Sequence, residues 1–175
     1  AAVFSLATGI TGFMLWYNLH YVSGQFALVQ PLPYLRGIVS REDYITAFRP
    51  EYPAIRYINS TVPPWTKVLC LFLGNRGYYM DFEPVFEQPL SSGLFAQFFA
   101  SPDRNLTIMA TLGDKNITHV FMREDLTASW LRQLNDSDRL RVAPLFANAP
   151  QPLLRQAGYS FFEIKQPNNS LLEQF

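Results

Sequence analysis

The chain has 175 residues, enough for one domain with a hydrophobic core and little more. Its 14 lysines and arginines balance its 14 aspartates and glutamates, and a net charge of zero provides no basic surface for nucleic acid. One cysteine excludes an internal disulfide framework, and the 2 histidines lie far apart without metal-ligand spacing, so the sequence predicts no metal and no cofactor.

The head of the chain differs chemically from the rest. Every charged residue lies at or after Arg36, and about the first 17 residues are mostly apolar before the aromatic side chains of Trp16, Tyr17 and Tyr21 follow. A membrane span needs about 20 mostly apolar residues, and aromatic residues are enriched where it leaves the hydrocarbon. The pattern predicts a transmembrane helix over residues 1–30. Because the chain starts with Ala and not with Met, this helix is expected to be the end of a membrane region. A buried core helix and the remnant of a secretory signal, here without a basic n-region, are the alternatives.

The remainder divides into a linker, one domain and a tail. Residues 31–39 contain 2 prolines and are predicted to be an extended linker. Residues 40–165 are predicted to form a soluble α/β domain, and residues 166–175 a loose polar tail. Ser40 and Asp43 have the spacing of a capping box, which predicts a short helix at the start of the domain.

The stretch KVLCLFLGNRGYYMD, residues 67–81, begins with a strand. Both faces of residues 67–73 are apolar, which is typical of a strand covered by helices in a parallel sheet. Cys70 in this run is predicted to be a small buried hydrophobic residue. Gly74 and Gly77 follow, but neither the dinucleotide pattern G-x-G-x-x-G nor the P-loop pattern is present. The glycines therefore predict a sharp exit from the strand and no nucleotide site.

The other elements alternate between helices and strands. They are predicted as a helix over 53–62, a helix over 91–100 capped by Ser91 or Ser92, a helix over 101–113 capped by Ser101, a strand over 118–122, a helix over 125–134 capped by Asp125, a weaker helix over 137–146, and a hairpin over 152–165 that turns at Ala157 and Gly158. The second strand is expected to lie parallel to the first, which would be central. The sequence thus predicts an α/β fold with a small mixed, partly parallel sheet and flanking helices, preceded by the transmembrane helix.

Five side chains after the first strand are candidates for binding a substrate: Arg76, Tyr78, Tyr79, Asp81 and Glu83. The arginine could contact a lipid phosphate or a sugar, and the tyrosines could stack on a sugar ring. For the arginine an ion pair with a nearby carboxylate, and for the tyrosines core or loop packing, are the favoured interpretations.

The acidic candidates form a group with Glu87. Asp81 and Glu83 would share one face of an extended segment and could bind a divalent cation or exchange protons. Because Pro84 indicates a loop, solvated loop charges are the favoured interpretation. No residue is assigned as catalytic.

Several segments resemble a known family in their order and spacing. They are GIVSREDYITAF at 37–48, YPAIRYINSTVPPWTKV at 52–68, the set Gly74, Arg76, Tyr78 and Tyr79, LGDKNITHVFMRED at 112–125, and GYSFFEIK at 158–165. Together they resemble the carboxy-terminal region of bacterial polytopic glycosyltransferases of the GT-C class, the group related to protein O-mannosyltransferases and lipid A aminoarabinose transferases. The resemblance covers residues 36–165 and the helix before them.

This resemblance implies a polyprenyl-phosphate-linked sugar donor and an extracytoplasmic active site. The family's catalytic acid lies in its first extracytoplasmic loop, which has no counterpart in this chain. The chain is therefore expected to be a non-catalytic accessory domain at the bacterial inner membrane, with its soluble part periplasmic or extracellular. Expected partners are membrane lipid, the membrane-embedded part of the parent protein, and a polyprenyl-phosphate sugar or its acceptor, with no nucleic acid. The alternative is a membrane-anchored binding or interaction module without transferase activity.

Overall fold

The computed structural model of the chain describes residues 2–87, 93–103, 106–147 and 151–164. The contacts between its residues divide the chain into two units, Ala1–Phe48 and Arg49–Phe175. The predicted tail at 166–175 lies outside the described residues.

The first unit is helical, with α1 at Ala2–Val29, α2 at Pro31–Leu35 and α3 at Arg41–Phe48. The large apolar side chains of α1 are exposed around the helix, among them Phe4, Phe13, Trp16 and Leu28. Among the described residues, no helix combines the length and the apolar character that crossing a membrane requires. The helix predicted at 1–30 is therefore present, but its transmembrane character is not confirmed.

Two local predictions for this unit had different outcomes. The serine cap is confirmed, because the amide of Asp43 donates to the Ser40 hydroxyl at 3.0 Å; the Asp43 carboxylate accepts from that hydroxyl at 2.8 Å, whereas in a full capping box it would accept from the serine amide. The extended linker at 31–39 is wrong at its start, which forms α2. A proline fits the first turn of a helix because the first backbone N–H groups have no partner within the helix.

The second unit is a mixed α/β fold with flanking helices, as predicted. Its elements are α4 (Tyr52–Thr61), β1 (Lys67–Leu71), β2 (Glu83–Glu87), α5 (Leu94–Ala100), α6 (Ile108–Asp114), β3 (Ile117–Arg123), α7 (Glu124–Gln133), α8 (Asp136–Ala147), β4 (Leu154–Gln156) and β5 (Tyr159–Glu163). Within the described residues the sheet has 5 strands in the order β2-β1-β3-β5-β4. β1 is parallel to both β2 and β3, and β5 is antiparallel to β3 and β4. The predicted parallel pair and the hairpin at Ala157 and Gly158 are therefore confirmed.

The first strand is buried on both faces, as its apolar pattern predicted. Leu69 and Leu71 pack into one cluster, with α5, α6, α7 and α8, while Val68 and Cys70 pack into a second cluster, with α4. These four side chains have no exposed surface. Burial of apolar surface stabilises a fold by about 25 cal/mol per Å², so the packing of helices on both faces of the sheet is the main source of stability of this unit.

Three predicted boundaries are wrong for identifiable reasons. Pro84 lies in β2, because this strand is at the edge of the sheet, where a missing backbone donor is tolerated. The helix predicted from Ser101 begins at Ile108, after Thr107, whose hydroxyl accepts from the amide of Ala110 at 3.1 Å. Asp125 does not cap α7, because the helix already begins at Glu124.

Candidate functional site at the carboxyl edge of the sheet

The strand order points to one edge of the sheet. From β1 the chain goes to β2 on one side, and it then crosses to β3 on the other side. In open α/β sheets, ligands bind outside the carboxyl ends of the strands at such a reversal. Phe72 and Gly74 leave β1 there with positive φ angles of 59° and 66°. The glycine provides the sharp exit that was predicted, and no helix follows within 72–82 to direct a dipole at a phosphate.

An arginine–aspartate pair stands at the end of β3. The Nε and Nη2 atoms of Arg123 donate to the two carboxylate oxygens of Asp125 at 2.8 and 2.9 Å. The bond from Arg123 lowers the pKa of Asp125 below its usual value, and it raises the pKa of the arginine in turn. Both groups are exposed, so the pair is available to solvent and to a ligand.

A second pair joins the start of α7 to the hairpin. Arg155 donates from Nε and Nη2 to the Glu124 carboxylate at 2.7 and 3.1 Å, and the Ser160 hydroxyl donates to the same carboxylate. These bonds, that from Arg155 first, lower the pKa of Glu124. The backbone amide of Glu124 also donates to the carbonyl of Gly158 at 2.9 Å. The carboxyl end of β3 is thereby fixed in position.

Tyr159 lies at this edge among further charged groups. It pairs with Arg123 across the two strands and is buried. Burial raises the pKa of its hydroxyl, the negative charges of Glu51 and Asp125 raise it further, and the positive charges of Arg123 and Arg76 lower it. Glu51, Asp125, Arg123 and Arg76 are therefore each within electrostatic range of Tyr159, and the five residues together are called the carboxyl-edge cluster.

The five residues predicted from the sequence do not lie together. Arg76 belongs to the carboxyl-edge cluster and is exposed. Glu83 forms an ion pair with Lys67 at 3.6 Å, and these two residues begin β2 and β1 at the amino edge of the sheet. Asp81 precedes Glu83 and is also exposed. The structure thus places the two acids at the opposite edge from the arginine.

The two tyrosines differ in exposure. The side chain of Tyr78 is 80% exposed, whereas the ring of Tyr79 packs edge to face on Tyr52 with centroids 5.0 Å apart. The side chain of Asn59 fixes this loop, because it donates to the carbonyl of Tyr79 at 2.8 Å and accepts from the amide of Asp81 at 3.0 Å. Tyr79 therefore has the packing role that was the favoured interpretation, and Tyr78 is the tyrosine free to meet a ligand.

Glu87 is not the solvated loop charge that the sequence indicated. It is 3% exposed, and its carboxylate accepts hydrogen bonds from the amides of Leu94 at 2.6 Å and Phe95 at 3.4 Å. It therefore caps α5, a helix for which Ser91 or Ser92 was predicted as cap; both serines lie outside the described residues. A Cβ added to Gly93 would lie 2.1 Å from the Glu87 carboxylate, so any larger residue there would displace the carboxylate.

Sequence reasoning missed four members of the carboxyl-edge cluster: Glu51, Arg123, Asp125 and Tyr159. Glu51 and Tyr159 carry no local signal, because they meet only after folding. The run Arg-Glu-Asp at 123–125 does carry one, because it directly follows a strand predicted to be parallel to the first. Charged residues at that place in the pattern fall at the carboxyl edge of the sheet.

The cluster is built for binding more than for proton transfer. An acid or base needs a pKa near the working pH, but the environment lowers the pKa of Asp125 and raises that of Tyr159, away from neutrality. Within the described ranges, no group of three or more His, Cys, Asp or Glu side chains could hold a metal ion. Guanidinium donors beside carboxylate acceptors can bind a ligand that carries several hydroxyl or anionic groups.

Neither a protein-family profile, nor a curated protein, nor a solved structure matches this chain.

Proposed function

We propose that this chain is the extracytoplasmic accessory domain of a bacterial membrane glycosyltransferase that uses a polyprenyl-phosphate-linked sugar, and that it is not itself catalytic. In this proposal α1 lies in the membrane with the membrane-embedded part of the parent protein, and the α/β unit lies in the periplasm or outside the cell. The chemistry is carried out by the parent protein.

The observation that carries this proposal is the surface of α1. The helix has 28 residues without a charge, and its large apolar side chains point outward on all sides. An exposed apolar surface of this extent marks contact with a membrane or with another protein. The family-like order of the segments between 36 and 165 supports the transferase part of the proposal.

The carboxyl-edge cluster supports a role in holding the acceptor or the sugar. Its guanidinium and carboxylate groups can bind the hydroxyl groups of a polyhydroxylated ligand. The exposed ring of Tyr78 lies two residues after Arg76 in the loop that follows β1. The shifted pKa values of Asp125 and Tyr159 favour positioning over catalysis. The carboxyl-edge cluster equally favours the second candidate function, a membrane-anchored binding module without transferase activity.

Membrane fractionation tests the location of α1. The chain should stay in the membrane pellet after an alkaline carbonate wash. Ile10→Lys combined with Leu15→Lys should release it, because a lysine at the centre of a helix in the hydrocarbon costs about 2.5–3.5 kcal/mol. The control combines Trp65→Lys with Leu140→Lys, two exposed positions outside α1, and should leave the chain in the pellet. Recovery of the unaltered chain in the wash would contradict the proposed location.

Kinetics of the intact transferase test the role of the cluster. Arg76→Gln combined with Arg123→Gln should raise the KM for the acceptor with little change in kcat, because an accessory site contributes binding in the ground state and the transition state alike. Asp81→Asn and Glu83→Gln, at the opposite edge, are the matched controls and should keep activity within about tenfold, roughly 1.4 kcal/mol of barrier. A thousandfold loss of kcat in any of these folded variants would place the active site in this unit. Absence of sugar transfer by the intact protein would favour the binding module.

A further inference from the structure

The corner between α1 and α2 holds a pocket that the proposed function does not use. Its volume is about 490 Å³, within the range of small-molecule sites. We name it the corner pocket, and its lining includes Phe26, Gln30, Leu32, Pro33, Arg36 and Ile38. A smaller pocket of about 280 Å³ shares Phe26 and Pro31 with it.

The corner has a defined shape. Gln30 has the left-handed angles φ 45° and ψ 55°, which turn the chain sharply from α1 into α2. A residue other than glycine adopts this conformation only with backbone strain, and such strain collects at ligand sites. The hydroxyl of Tyr44 donates to the carbonyl of Val29 at 2.9 Å, and its ring stacks on Tyr34 at 5.1 Å. These contacts hold the corner, and with it the pocket, in one arrangement.

Arg36 gives the pocket a single charge. It is the first charged residue of the chain, and the first acidic residue is Glu42. Among the described residues, no carboxylate lies within ion-pair distance of Arg36, and its side chain is exposed. One cation at the rim of an apolar pocket is complementary to a ligand with an anionic head and an apolar body.

The pocket continues the apolar surface of α1. Phe26, Leu28 and Val29 are exposed up to the corner, without a charge between them and Arg36. If α1 lies in lipid, Arg36 is at the level where the chain first meets headgroups. Anionic headgroups attract a cation near the membrane surface.

We propose that the corner pocket binds one anionic phospholipid of the surrounding bilayer. One acyl chain lies against Phe26, Leu32 and Ile38, and the phosphate accepts hydrogen bonds from the Arg36 guanidinium. This inference rests on the proposed membrane location of α1 and is independent of the transferase activity.

The test uses the full chain in nanodiscs of phosphatidylcholine, with spin-labelled phosphatidylglycerol or phosphatidylcholine as the probe. Electron paramagnetic resonance then measures the association of each labelled lipid with the protein. We expect phosphatidylglycerol to be preferred by about fivefold, which corresponds to about 1 kcal/mol. Arg36→Gln should abolish this preference. Arg41→Gln removes the same charge five residues further along the chain, outside the lining of the pocket, and should retain it.

Three results would overturn the inference. The first is an unchanged preference in Arg36→Gln. The second is an equal loss of the preference in Arg36→Gln and Arg41→Gln, which would indicate an effect of general surface charge. The third is full displacement of the labelled lipid by millimolar inorganic phosphate, which would indicate a phosphate site. Ile38→Glu places a carboxylate at the rim and should also remove the preference. A chain that enters the discs without any lipid preference refutes only this inference. A chain that does not enter them refutes the proposed membrane location as well.

Discussion

The cap that Glu87 provides for α5 allows a sharp test of the structure. Glu87→Ala removes a buried carboxylate that accepts from two helix amides, at 2.6 and 3.4 Å. Loss of a helix cap costs about 1 kcal/mol, and a buried amide without a partner costs about 1–3 kcal/mol. We therefore expect the free energy of unfolding of the α/β unit to fall by about 2–3 kcal/mol.

Gly93→Ala should have the same effect through the same bonds. The backbone of Gly93, at φ −77° and ψ −165°, suits alanine, so the chain itself is not strained. The new Cβ would lie 2.1 Å from the carboxylate, which must then move away from both amides. The double variant should consequently lose about 2–3 kcal/mol, not the sum of about 4–6 kcal/mol, because the second change finds the bonds already broken.

Urea unfolding followed by tryptophan fluorescence measures these differences. The ring of Trp130 packs edge to face on Phe95 of α5 with centroids 4.9 Å apart, so its emission reports on this helix. Gly77→Ala is the control for the glycine, because its Cβ would meet Phe86 at an ordinary 3.5 Å. Glu83→Ala is the control for the acid, because its exposed ion pair contributes at most about 1 kcal/mol. Additive effects of Glu87→Ala and Gly93→Ala would refute the capping geometry.

Three further predictions concern the core of the α/β unit. Leu71→Asp should abolish near-ultraviolet circular dichroism, because Leu71 has no exposed surface and the new charge would be buried without a partner; an unaltered thermal transition would contradict this. Burial raises the pKa of the Cys70 thiol, so native protein at pH 8 should resist iodoacetamide while urea-unfolded protein reacts fully; equal rates would argue against the buried position. Burial lowers the pKa of His119 below 6.5, and the negative charge of Glu163 opposes this shift. The contribution of neutral His119 to the free energy of unfolding is therefore complete above about pH 6.5 and falls as the pH decreases through the lowered pKa. The melting temperature of His119→Gln should therefore drop less between pH 7.5 and pH 5 than that of the unaltered protein, and an identical drop would assign the acid sensitivity to other groups.

Hydrophobic periodicity and turn residues predicted the elements that depend on short stretches of sequence. The two-faced apolar run around Cys70 specified a covered parallel strand, and the turn at Gly158 specified the hairpin. β2 escaped prediction, because Pro84 and the flanking acids describe a loop unless the strand is known to lie at an edge. Glu87 was misread for a related reason. Its partner Leu94 is seven residues away, and only the fold brings the carboxylate to the end of α5.

The candidate site was recovered only in part, for the same physical reason. Arg76 was visible because it follows an obvious strand. The other members Glu51, Arg123 and Tyr159 come from three separate parts of the chain, and the parallel pairing of β1 and β3 with the return of β5 brings them to the same edge of the sheet. Asp81 and Glu83 were grouped with Arg76 because they are close in sequence, yet the loop at 72–82 carries them to the opposite edge of the sheet.

The two outer strands of the sheet limit how copies of this unit can associate. A long, flat, apolar edge strand is a template on which a second molecule can add its own strand and start aggregation. β2 carries Pro84, which cannot donate a backbone hydrogen bond, next to the exposed charged side chain of Glu83. β4 has only 3 residues, with the charged Arg155 at its centre. Both edges therefore disfavour strand addition between units that are held side by side at high local concentration.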